Sequence, residues 1–159
     1  HNPYYNVELM TDHKRSDQTY QYDQDQDGRF FIRCSSCDDP DTEADYCIVH
    51  FALACDPFLD GNVYLNGELF HNVLDEKSKM GYNFETPQYE TVVLLKQGSY
   101  NYQYLFGPNG STGGETGPIE GNYYQAENEY TIYVYYRPMG TQYDRLIGVT
   151  SVKNAMQVF

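Results

Sequence analysis

Tryptophan is absent from this chain, and basic residues are scarce: 10 Lys and Arg stand against 23 Asp and Glu, a formal net charge of -13. A surface of that sign repels phosphates and anionic headgroups, which sets nucleic-acid binding and membrane-surface binding aside. No stretch approaches the roughly 18 apolar residues of a membrane span, so direct membrane insertion is not expected. The start, His1-Asn2-Pro3, lacks the basic and apolar segments of a signal peptide. The chain therefore reads as a mature form or an excised domain. Sustained helical periodicity is missing, as is any repeat of fixed period. No GxSxG, HExxH or phosphate-cradling glycine loop occurs, and no catalytic residues or cofactor are assigned.

Cysteine is limited to Cys34, Cys37, Cys47 and Cys55. The CSSC spacing of the first two invites a redox or zinc reading. A zinc ribbon needs a second close pair, which Cys47 and Cys55 do not make. A thioredoxin-like motif opens a helix, whereas DDPD follows here. One disulfide, or none, is the expectation.

Tyrosine is abundant, with 18 residues beside 8 Phe, 13 Gly and 7 Pro spread along the chain. Bulky rings suit a pleated surface, and the scattered turn residues suit many short strands. The centre of the pattern is YETVVLLKQGSYNYQYLF, residues 89–106. Thr91 to Leu95 reads as one strand. Tyr100, Tyr102, Tyr104 and Phe106 recur at period two, which places four rings on one face of a second strand, in the core. Gly98 between them predicts a hairpin turn.

Further strands are expected at residues 4–10, 18–22, 29–33, 46–53, 80–84, 129–137 and 145–152. Asn66-Gly67 predicts a second hairpin joining 62–65 to 68–70. Residues 11–17, 34–45 and 107–118 read as polar loops, the last carrying an Asn109-Gly110-Ser111 glycosylation sequon. Such spacing argues for an all-β antiparallel sandwich, one domain over 1–159, with strands and acidic loops in 1–45 and the core in 46–152.

Two sets of residues are candidates for binding. Asp23, Asp25 and Asp27 alternate before Gly28 as in a calcium loop, but position twelve is Cys34 and the flanks read as strands, so a solvated turn is the better account. Tyr123, Tyr124, Tyr133, Tyr135 and Tyr143 are candidates for exposed rings, which stack on sugars or fill protein interfaces.

Linked phrases in order then suggest a family. TEADY, LKQGSYNYQY, EGNYYQAENEYTIYVYYR and YDRLIG lie in a stretch from Asn2 to Val149 that resembles the plug protein of the type IX secretion system. The resemblance implies the C-terminal part of a longer, non-enzymatic protein of the periplasm or cell envelope. It implies no cofactor, and a partner in the outer-membrane translocon. A weaker likeness over residues 55–106 is to early-set immunoglobulin-like modules that bind glycogen or starch, which implies that fold and polysaccharide as an alternative ligand. Those modules stack sugar on Trp after their first hairpin, where this chain has Phe70.

Overall fold

The computed structural model describes residues 4–22, 25–26 and 28–153. Eleven strands carry nearly all of its regular structure: β1 Tyr5–Glu8, β2 Asp12–His13, β3 Phe30–Ile32, β4 Tyr46–Ala54, β5 Gly61–Asn66, β6 Gly81–Asn83, β7 Gln88–Lys96, β8 Gly98–Tyr100, β9 Gln103–Pro108, β10 Glu129–Tyr136 and β11 Arg145–Lys153. The all-β class follows. The described chain divides into two compact units, one within residues 1–122 and one within 123–159.

In the first unit β4 is central. It pairs antiparallel with β7, which pairs onward with β6, and its other edge takes β1 and then β2. Both of those pairings are parallel, a departure from the all-antiparallel expectation. A parallel neighbour needs a long crossover, and residues 14–45 provide one between β2 and β4. A second ladder joins β5 to β9, and a third joins β3 to β8.

The core lies between the β4–β7 sheet and the β5–β9 ladder. β4 contributes Val49, Phe51 and Leu53, β5 Val63 and Leu65, β7 Tyr89 and Leu95, and β9 Tyr104 and Phe106. Met80 and Ile119 complete it. Tyr100 and Tyr102 pack against the same cluster, so the tyrosine face of residues 100–106 is turned inward as its period predicts. Aromatic edges fit together there: Phe51 meets Tyr102 with centroids 5.1 Å apart, and Phe58 meets Phe106 at 4.8 Å.

Both predicted hairpins are corrected. β7 does not turn back on β9. The chain leaves the β4–β7 sheet at Lys96, pairs briefly with β3, and then joins β5 in the facing ladder. Gly98 serves close approach rather than a turn: a Cβ there would sit 2.4 Å from the Phe31 carbonyl oxygen. Asn66-Gly67 likewise opens a short 3-10 turn, Glu68–Phe70. A Cβ on Gly67 would lie 2.7 Å from the Asn101 carbonyl oxygen.

Residues 18–22 form no strand, and β3 pairs with β8. The loop 34–45 contains a single helical turn, Pro40–Glu43, capped by the Asp39 side chain. Cys34 and Cys37 form a disulfide, while Cys47 and Cys55 are free.

The second unit is an antiparallel ribbon of β10 and β11, with a bulge after Val134. Its turn is tied by Arg137, whose guanidinium donates to both Asp144 carboxylate oxygens at 2.7 and 2.8 Å. Gly140 takes the positive φ the turn requires.

Candidate functional site

Two features of the fold have the character of a site. The first is the ribbon. Tyr130, Ile132 and Val134 point to one face, and Tyr133 and Tyr135 to the other. All five are 47 to 60% exposed. On β11, Leu146, Ile147, Val149 and Val152 are exposed to a similar degree. A two-stranded ribbon gains little from its own burial, and apolar side chains on both faces leave it without a dry side.

The second is a cleft of about 360 Å³ in the first unit. Its wall is built where β2, β9 and the segment before Asn122 converge. Asp12 begins β2, and its Oδ2 accepts hydrogen bonds from the hydroxyls of Tyr102 at 2.9 Å and Tyr104 at 2.7 Å. Period two along residues 102–104 is what aims both phenols the same way. Glu120 accepts from the Tyr104 backbone N–H at 2.7 Å and faces the Arg15 guanidinium at 3.7 Å. The turn carrying Arg15 is held by Ile119, whose carbonyl oxygen accepts from the N–H groups of Arg15 and Ser16. Asn101 uses its Oδ1 to accept from the Gln26 N–H at 2.7 Å. Tyr20, Gln21 and Asp25 close the rim.

Burial shapes the chemistry of this wall. It pushes the Tyr102 phenol up to about 12, with the Asp12 charge adding to the effect. Tyr104 is pushed up further, first by burial, then by its hydrogen bond to Asp12 and the charge of that carboxylate. Both phenols therefore stay protonated donors at any physiological pH. Desolvation also raises the Glu120 carboxyl, against lowering by the Tyr104 N–H and Arg15. A raised folded pKa in an acid means that the folded state holds its proton longer than the unfolded chain. Stability contributed by this group is thus lost as pH climbs above the ordinary carboxylate range. Glu120→Gln keeps the acceptor for Tyr104 and removes the buried charge. The variant is expected to melt higher than the parent at pH 7, with the gap closing toward pH 4, as read by thermal denaturation across that range.

The residues proposed from sequence fall in separate places. Tyr133 and Tyr135 are neighbours on one ribbon face. Tyr143 lies in the ribbon turn, its hydroxyl accepting from Arg145 at 2.8 Å. Tyr124 is 91% exposed ahead of β10, and Tyr123 is half-buried beside it. Phe70 packs against the core from the 3-10 turn, and lines neither the cleft described above nor a second one of about 530 Å³. Of the calcium-loop aspartates, Asp23 and Asp27 lie outside the described residues, and Asp25 sits on the cleft rim. Among the described residues no group of three or more His, Cys, Asp or Glu is arranged to hold a metal ion. No helix among them is long and apolar enough to cross a membrane.

Sequence reasoning missed Asp12, Asn101 and Glu120. Asp12 stands in a polar run that reads as a loop, and its partners lie 90 and 92 positions away.

No protein-family model matches the chain, and no curated protein matches it. It is similar to a hypothetical protein from Parabacteroides merdae ATCC 43184 whose crystal structure is solved. The two are 82% identical and superpose with a TM-score of 0.92, over 97% of this chain and 39% of that one. This chain thus spans well under half the length of the protein it matches.

Proposed function

We propose that the chain is a non-enzymatic docking part of a type IX secretion system. In this reading it is an immunoglobulin-like, early-set sandwich that binds the periplasmic side of the outer-membrane translocon. The resemblance of the linked phrases motivates that assignment. The observation that carries a docking role is the ribbon β10–β11, with exposed apolar and aromatic side chains on both faces. Interfaces are rich in such tyrosines, and a ribbon presented this way gains its stability when a partner covers it. The 39% coverage of the similar Parabacteroides protein accords with a module inside a longer polypeptide.

The test is capture from detergent-solubilised outer-membrane extract of Parabacteroides merdae, with the bound proteins identified by mass spectrometry. Recovery of a very large barrel protein of a secretion system supports the reading. Substituting Ile132, Tyr133 and Tyr135 together by Glu is expected to reduce that recovery at least tenfold. Because these side chains are exposed, the melting of the first unit should barely change. Equal recovery by the triple variant, or no barrel protein at all, would overturn the assignment.

A further inference from the structure

We propose that the cleft between β2 and β9 binds a neutral oligosaccharide, through residues unrelated to the exposed tyrosines of the ribbon. The inference stands independently of the docking role.

The argument is one of matching donors and acceptors. On the acceptor side, Asp12 uses Oδ2 for both phenols, and its Oδ1 takes no hydrogen bond from the described residues. Glu120 adds Oε2, which faces the Arg15 guanidinium at 3.7 Å. On the donor side stands the Asn101 side-chain N–H2, whose oxygen accepts from the Gln26 N–H. The Gln21 amide supplies both kinds of group and makes no hydrogen bond with the described residues.

Each ligand class meets this wall differently. An anion would face Asp12, Asp25 and Glu120 together. A cation would meet Arg15, which already holds the buried acid. An apolar ligand would strip water from carboxylates and offer nothing in return. Sugar hydroxyls each donate and accept, so they pair with both halves of the wall. Tyr20 and Tyr100 place rings at the same cleft for the C–H faces of a pyranose. The volume of about 360 Å³ lies at the small end of the range for ligand sites.

His13 extends the site. It lines this cleft and also a second one of about 530 Å³, whose wall includes Lys14, Asp17, Asp56 and Phe58. The two clefts share that one residue, so a ligand longer than one ring has polar groups of the second to reach. A chain of several sugars should therefore bind more tightly than a single sugar.

The experiment is a titration of the protein with cellotetraose, maltotetraose and chitotetraose, each compared with its monosaccharide, by calorimetry and ligand-observed NMR. A glycan array bearing free oligosaccharides and protein-attached glycans runs beside it to separate the two sources. At least one tetrasaccharide is expected to bind, about tenfold more tightly than its monosaccharide. Gln21→Ala and His13→Ala, both at exposed positions, should each weaken it at least fivefold with melting unchanged. Silence of all three probes and of the array would overturn the proposal. So would binding that survives both substitutions but is lost when Tyr133 and Tyr135 are replaced, since that would place the sugar on the ribbon. A sugar signal without capture of a barrel protein leaves this inference standing and removes only the docking assignment.

Discussion

Replacing Asp12 by Ala is expected to destabilise the protein by about 3 kcal/mol, a drop of roughly 9 °C in melting temperature for a chain of this length. Two phenol donors converge on one carboxylate oxygen, at 2.7 and 2.9 Å. Hydrogen bonds to a charged group are worth about 1.5–3 kcal/mol each, but the cleft admits water, which recovers part of the loss. The phenols belong to Tyr102 and Tyr104, whose rings also pack in or against the core, so the side chain of one residue on β2 steadies the start of β9 and the residue just before it. Asp12→Asn retains an acceptor and should cost about a third as much. Spectroscopic titration at the tyrosinate band separates this account from a general loosening. In the Ala variant the Tyr102 phenol should ionise below its parent value of about 12, because a neighbouring negative charge has gone. An unchanged titration together with unchanged stability would sink the account.

A larger loss, about 4 kcal/mol, is expected for Leu53→Ala. Leu53 has no exposed surface, lies near the end of the central strand and stands opposite Tyr89 on β7. The neighbouring strand β2 pairs at the same position, where Asp12 meets Leu53. With backbone partners on both sides, the site has little freedom to collapse around the missing atoms, which is the condition for the upper part of the Leu→Ala range. Leu146→Ala on the ribbon removes the same atoms from a residue that is 50% exposed, and should cost under 1 kcal/mol. Denaturant unfolding of both variants checks the contrast. Equal losses would mean that the ribbon is as well packed as the core.

Much of this fold is legible in the sequence, and the residues show where legibility stops. β4, β7, β10 and β11 announce themselves because apolar and aromatic residues fill them over eight or nine positions. Partners are harder to read. Gly98 and Gly67 look like turn glycines, yet each is small because another strand's carbonyl crowds it. Nothing local distinguishes a glycine that turns the chain from one that lets a distant backbone approach. The tyrosines of residues 100–106 were readable as core from their period alone. The cleft they help to line was not, because Asp12 and Glu120 reach it through tertiary pairing of short elements. β2 is only two residues long and carries no periodic signal. On the ribbon the alternation of Ile132 and Val134 with Tyr133 and Tyr135 is readable from the sequence, but not that both faces lie exposed.

The pairing pattern also governs how quickly the chain can find its structure. Phe30 pairs with Tyr100, Val7 with Val49 and Val63 with Phe106. Strands so far apart must close large loops before any of their contacts forms, and such topologies fold in milliseconds to seconds. The Cys34–Cys37 bridge spans a separation of only 3 residues, so it does nothing to bring those distant partners together. Among the described strands, only β6–β7 and β10–β11 join neighbours in sequence. The ribbon can therefore form early, with its apolar faces uncovered, while the first unit is still searching. During that interval the uncovered ribbon is the part of the chain most open to aggregation, and it is where chaperone protection matters most.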